Sequence, residues 1–176
     1  PSTLWSAQAP EFSPVDRLID ISPMALRLLQ LDVQHIRTHV EGVSTLKNLH
    51  AGSCLLPGMS PVAQKYAGHR HGIFNDRIGD GGALLLGEVA TPLGRMDMYL
   101  KGGGRTPYSL REDGYMGLRS AIKEYLVGHA LYGIGIPTSL PLSICKHKRK
   151  IVRGEIEQSA TILRLSPSHV RIGHFE

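Results

Sequence analysis

The chain has 176 residues and a mass of 19.2 kDa, with 41% hydrophobic and 20% charged side chains. A chain of this length and composition can bury a core, which argues against intrinsic disorder and fits one domain or one lobe of a larger protein. The longest purely apolar run is Ala83-Leu84-Leu85-Leu86, far short of the roughly 20 residues a membrane helix needs.

Residues 1–15 read as irregular. Pro1 to Ala9 has no apolar core of a secretory signal. Ser22-Pro23 predicts a helix start, with Ser as cap and Pro at the first helical position. Met24, Leu26, Leu28, Leu29 and Leu31 follow, and a second short helix is expected over Val43–His50. Leu55-Leu56-Pro57-Gly58 reads as a turn. Ala83 to Val89 is a short apolar run, expected as a buried strand. Met96 to Lys101 alternates strictly, with Met96, Met98 and Leu100 on one face and Asp97, Tyr99 and Lys101 on the other. The turn signal Thr91-Pro92-Leu93-Gly94 joins these two strands into a hairpin.

A helix is predicted from about Gly117 to Tyr132, on the spacing of Leu118, Ile122, Tyr125, Leu126 and Leu131, and it stops at Gly133 to Pro137. Strand-like pieces follow around Leu140–Cys145, Ile151–Arg153 and Thr161–Leu165. The basic run Lys146–Lys150 is expected in the first turn between them. The predicted class is α+β: an antiparallel sheet with one helix packed on it.

Net charge is +5, and residues 126–176 carry seven basic against three acidic side chains. An anionic partner would be met there, unless the excess is a solvated face. Cys54 and Cys145 have no metal or redox spacing, which suits a reducing compartment. Glycine is 20 of 176 residues and clustered, which suggests backbone built to approach a ligand.

The main cluster, Gly79-Asp80-Gly81-Gly82, directly precedes the Ala83 strand. A turn so poor in Cβ atoms can point amide N–H groups at phosphate oxygens, or can be an unliganded hairpin turn. Lys101 lies on the second strand of that hairpin, on the face opposite Met96, Met98 and Leu100. There it needs an anion or faces water. Glu124, on the predicted helix with Ser120 and Gly128 in a small-residue stripe, either pairs with Lys101 or is exposed beside Lys123. Glycine turn, strand lysine and helix glutamate, in that order, match the nucleotide lobe of protein kinases. Arg164 and Arg171 flank Ser166-Pro167-Ser168-His169 and can converge on one phosphate site or lie apart on the surface. Asp113-Gly114 precedes the helix, where Asp113 can accept from a nucleotide or cap the helix. His69 and His71 have no third ligand of clear spacing, so a metal is not expected there. The Lys146–Lys150 run lacks aromatic interleaving, so nucleic acid is not an expected partner.

From about Leu56 to Glu176 the chain resembles the selenoprotein O family, also called the YdiU family. The resemblance is carried by Leu56-Pro57-Gly58-Met59, Tyr66-Ala67-Gly68-His69, Gly79-Asp80-Gly81, the string Lys101 to Ser109, Asp113-Gly114, Leu118-Arg119-Ser120, Glu124-Tyr125-Leu126 and Ser166 to Arg171. It implies a kinase-like enzyme that transfers AMP from ATP to Ser, Thr or Tyr hydroxyls of proteins, with ATP reversed relative to ordinary kinases. It further implies that Gly79, Gly81, Gly82, Lys101, Asp113, Gly114, Arg164 and Arg171 bind ATP, and that Glu124 orients Lys101. On this reading residues 1–60 are an N-terminal helical extension and residues 61–176 a kinase-like nucleotide-binding lobe. The catalytic base and the Mg²⁺ ligands would belong to a following lobe, because after Asp113 there is no Asp and the only Asn residues are Asn48 and Asn75.

The chain is therefore expected to be an ATP-binding fragment, inactive alone, of a mitochondrial protein if eukaryotic and a cytoplasmic one if bacterial, and not secreted. An inactive ATP-binding module and a phosphate-transferring kinase are the alternatives. Two departures stand out: the family usually has Arg at the position of Gly82, and Gln-Phe at Arg70-His71. Loss of the arginine is expected to weaken ATP binding, with Arg70 or Arg77 as substitutes.

Overall fold

The computed structural model describes residues 4–70, 72–76 and 78–176, apart from the side chain of Arg70. The expectations that rest on His71, Arg77 and the Arg70 side chain lie outside the described residues.

The chain opens with two short strands, β1 (Trp5–Ala7) and β2 (Val15–Ile21). Three helices follow: α1 (Pro23–Leu28), α2 (Val33–Thr38) and α3 (Val40–Ala51). Ser22 caps α1 as its sequence signal predicts, accepting from the Ala25 amide at 3.2 Å. Then come β3 (Val62–Gln64), a separate two-stranded hairpin β4 (Gly68–Arg70) and β5 (Ile73–Asn75), and the hairpin β6 (Ala83–Thr91) and β7 (Gly94–Lys101). A short β8 (Met116–Gly117) leads into α4 (Leu118–Gly133), and the long hairpin β9 (Leu140–Arg153) and β10 (Glu155–Ser166) closes the sheet.

The main sheet runs β1-β3-β6-β7-β10-β9-β2, with β8 also on β10, and every pairing is antiparallel. The β7–β10 register places Lys101 opposite Ile162, Leu100 opposite Leu163 and Tyr99 opposite Arg164. Alternation then sorts the two faces. Met96, Met98, Leu100, Leu163 and Leu165 share one core cluster with Ala25 and Leu26 of α1 and Leu46 and Leu49 of α3. Ile144, Ala160 and Ile162 pack instead with Ala121 and Tyr125 of α4. Gly128 lets α4 come close, since a Cβ there would lie 2.7 Å from Pro141 Cγ.

The α+β antiparallel reading stands, with three corrections. Residues 1–60 are not a purely helical extension. They also supply β1 and β2, and their helices cover the sheet face opposite α4, so the sheet has helices on both faces. The charges Asp16, Arg17 and Asp20 in β2 hide its pattern, yet a terminal strand with one unpaired edge tolerates charge. The Lys146–Lys150 run is not a turn but the interior of β9, with Lys146 paired to Asp16 at 2.5 Å and His147 buried. No helix among the described residues is long and apolar enough to cross a membrane.

A buried polar chain fastens α3 and the segment before β2 to the β9–β10 hairpin. His147 Nδ1 lies 2.9 Å from the Ser13 carbonyl, and its Nε2 lies 2.8 Å from Thr161 Oγ1. His50 Nδ1 lies 2.6 Å from the same hydroxyl, and its Nε2 is 2.8 Å from Ser143 Oγ. A carbonyl can only accept, so neutral His147 donates from Nδ1 and accepts at Nε2 from Thr161. Thr161 has then used its proton and accepts from His50, which accepts in turn from Ser143. Every proton in the row is thereby assigned. Burial, reinforced by the neighbouring His147, pushes His50 down to about 3 from the usual 6.5. Burial likewise lowers His147.

Unfolding releases a histidine that titrates near 6.5, whereas folded His50 stays neutral to about 3. Stability is therefore expected to be full above 6.5 and to fall as pH drops through that interval, read as a falling denaturation midpoint. His50→Ala is expected to destabilise by about 1–3 kcal/mol, because it strands the Ser143 hydroxyl. It should also flatten the pH dependence in that window, and an unchanged slope would contradict the assignment.

Candidate functional site

A cavity of about 570 Å³ opens on the α4 side of the sheet. That is the size range of small-molecule sites. The hairpin β6–β7 brings its two ends there, the glycine bend before β6 and Lys101 at the end of β7. Gly79, Gly81 and Gly82 line the wall, and Gly114 closes in from the loop before α4. Helix α4 supplies Ser120 and Glu124, while Arg164 near the end of β10 and Arg171 beyond it complete the lining.

Glu124 organises the cations. One carboxylate oxygen takes a short hydrogen bond from Lys101 Nζ, and the other lies 3.5 Å from Arg164 Nη1. The expected strand-to-helix pair is present, and Arg164 shares it. Arg164 also lies over the ring of Tyr99, 5.4 Å from its centre, and Arg171 over Tyr66 at 5.5 Å. Burial lowers the Arg164 pKa against the opposing pull of Glu124, but a guanidinium stays charged at any working pH.

Asp113 is placed differently from the other site candidates. Its carboxylate does not line the cavity. It receives two hydrogen bonds from Arg153, at 3.0 and 2.5 Å, and one from the Tyr115 amide at 3.0 Å. The Arg153 bonds hold the Asp113 pKa below its usual value. It does not cap α4, whose first cap is Gly117 with no side-chain bond. Its neighbours Glu112 and Gly114 face the cavity, as does Arg153 itself.

The glycines are needed where the backbone crowds. A Cβ on Gly82 would lie 2.4 Å from the Gly114 carbonyl oxygen, and one on Gly114 would lie 2.0 Å from that of Gly104. Gly114 also has φ +73°, where L side chains are strained. At position 82 this changes the reading of the missing arginine: the space a side chain would take is filled by the Gly114 backbone. The loop from Gly104 to Gly114 has closed onto the bend, held by Ser109 Oγ to the Gly81 carbonyl at 2.6 Å and Thr106 Oγ1 to the Asp80 carbonyl at 2.5 Å.

Asp80, Tyr99, Tyr66 and Arg153 were not singled out in sequence. Tyr99 alternates with Lys101, so its face was readable. Asp80 was hidden among glycines, and nothing in the sequence pairs Arg153 with Asp113. His69 lies in β4, tilted against the Phe74 ring at 5.3 Å, and lines the cavity. Among the described residues no three His, Cys, Asp or Glu side chains converge to hold a metal.

A glycine bend faced by a lysine and two arginines makes this a cationic cavity in an α+β structure, with donors of the kind that phosphate oxygens accept from. The chain belongs to the SelO family: the family model described as Protein adenylyltransferase SelO matches residues 8–176. It is 49% identical over 160 residues to the protein nucleotidyltransferase YdiU of Chromohalobacter salexigens, covering 91% of this chain and 32% of that protein. The corresponding Myxococcus xanthus protein is 44% identical over 164 residues, covering 93% and 33%. That of Aeromonas hydrophila is 52% identical over 122 residues, covering 69% and 26%. The chain thus spans about a third of the length of these relatives.

Gly82→Ala is expected to destabilise the fold by about 1–3 kcal/mol, the usual cost of forcing a group into packed space. Gly133→Ala, where nothing lies within 4 Å of the added Cβ, is expected to leave the midpoint unchanged or raise it slightly. Equal midpoints for the two variants in chemical denaturation would contradict the crowding at Gly82.

Proposed function

We propose that this chain is the ATP-binding, kinase-like N-terminal portion of a protein adenylyltransferase that moves AMP from ATP to Ser, Thr or Tyr hydroxyls of proteins. The observation that carries the reading is Glu124 shared by Lys101 and Arg164 at the rim of the glycine-lined cavity. A carboxylate between two cations fixes both, so neither must be ordered when the triphosphate arrives. Lys101, Arg164 and Arg171 bind and orient phosphate oxygens, and Gly79, Gly81 and Gly82 let them approach the bend closely, although the Gly79 and Gly81 amides already donate to the Tyr66 and Gly79 carbonyls. Gly114 seals the side. Asp113 contributes through Arg153, which it keeps at the cavity wall.

In the reaction the acceptor hydroxyl oxygen attacks the α-phosphorus, the bond from that phosphorus to the β-bridging oxygen breaks, and pyrophosphate leaves. The hydroxyl proton passes to a base outside this segment. In this reading the part of Lys101, Arg164, Arg171 and the glycine bend is binding and orientation, and the Mg²⁺ ligands would belong to the following lobe. The names of the relatives support nucleotidyl transfer, and the bacterial sources of these relatives support a bacterial cytoplasmic enzyme.

In a full-length protein carrying this segment, Lys101→Ala is expected to abolish ATP binding in calorimetry, and unchanged affinity would overturn the site. Glu124→Gln should fold normally and lose transfer by at least tenfold, the worth of one charge-assisted hydrogen bond. Full activity would make that glutamate structural. Mass spectrometry of a modified acceptor should show added AMP, and added phosphate would replace this reading with ordinary kinase chemistry. Residues 1–176 alone are expected to incorporate no labelled AMP.

A further inference from the structure

Asp80 sits inside the glycine bend and is 2% exposed. A buried carboxylate is costly unless its oxygens are bonded. One oxygen takes a short hydrogen bond from the Tyr99 phenol, and the other accepts from the Gln64 amide at 3.0 Å. Its own amide donates to the Gln64 carbonyl at 2.8 Å, and its carbonyl accepts from Thr106. The residue is therefore tied on every side. The tie to β3 explains the Gln64 contacts, but it does not explain why a tyrosine of β7 reaches into the bend.

Tyr99 is wholly buried, and it lies opposite Arg164 in the β7–β10 ladder. Its ring carries the Arg164 guanidinium 5.4 Å from its centre, and His169 stacks on it at 4.1 Å with the planes 6° apart. Arg164 is thus held at two points, by Glu124 and by this ring. Pinning the phenol oxygen stops the ring from sliding along the sheet, and an aromatic face positions a guanidinium only if the ring itself is fixed.

We propose that Asp80 is a positioning residue of the cavity: by anchoring the Tyr99 phenol it fixes the ring on which Arg164 lies, locking the glycine bend and the cation wall into one unit. The proposal rests on the nucleotide reading above for its ligand, and on the geometry alone for the lock. Asp80 touches no phosphate itself. It sets the distance between the two halves of the site that would grip one.

The test uses the full-length protein with Tyr99→Phe, which removes only the phenol oxygen, and Asp80→Asn, which keeps the shape and removes the charge. ATP affinity is expected to fall about tenfold in each, the worth of one hydrogen bond to a charged group. Adenosine affinity should not change, because adenosine has no phosphates for Arg164. In an Arg164→Gln background Tyr99→Phe should cause a smaller loss, the remainder passing through Arg171, which also interacts with the phenol. Equal losses for ATP and adenosine, or an undiminished loss in that background, would make Asp80 a mere scaffold and overturn the proposal. If the unmodified protein binds no ATP, the nucleotide reading falls. The lock is then judged by a double-mutant cycle of Tyr99→Phe and Arg164→Gln in chemical denaturation, where absent coupling overturns it.

Discussion

Two cations from different strands share the carboxylate of Glu124, and the geometry of the cavity follows from that sharing. Lys101 ends β7 and Arg164 lies two residues before the end of β10, so their spacing is set by the ladder between those strands. Glu124 comes from α4, which approaches the sheet closely because Gly128 packs on Pro141. Like charges placed side by side repel, and an unpaired buried cation is costly. One carboxylate between them removes both penalties and still leaves donor capacity on each cation. The charge of the cavity wall is thus already in place without a ligand.

The opposite wall is built by absence of side chains. Gly82, Gly104 and Gly114 bring three backbone segments to distances that no Cβ permits. Backbone amides cannot move without moving the chain, so a wall of this kind is stiffer than one made of long side chains. Position 82, where the family resemblance leads one to expect arginine, is part of this contact. Among the described residues the cations at the cavity are Lys101, Arg164 and Arg171, with Arg153 held at the edge by Asp113.

The first sixty residues matter to the site through the sheet. Helices α1 and α3 cover the face opposite the cavity and share a core with Met98, Leu100 and Leu163. Those residues alternate with Tyr99, Lys101 and Arg164, so packing on one face sets the height of the functional side chains on the other. The row Ser143–His50–Thr161–His147–Ser13 fastens this layer with hydrogen bonds whose direction is fully specified. A shift of α3 would break several at once.

Local pattern determined much of this in advance. Strict alternation from Met96 to Lys101 gave the two faces of β7, helical spacing gave α4 to within a residue at each end, and Ser22-Pro23 gave the start of α1. The glycine bend, Lys101, Glu124, Arg164 and Arg171 could be named as candidates from residue type, each beside a structural alternative, and the family resemblance joined them into one set. What only the tertiary structure decided involves partners far apart in the chain. Strand β1 is three residues long and β2 carries the charges Asp16, Arg17 and Asp20, and only pairing with β3 and β9 makes them strands. The Lys146–Lys150 run looks like a turn until β10 lies beside it. Asp113 to Arg153, Gly82 to Gly114 and Asp80 to Tyr99 are contacts across 19 to 40 positions. Composition and periodicity act within a few residues, whereas such contacts depend on which strands become neighbours, and that is settled only when the sheet closes.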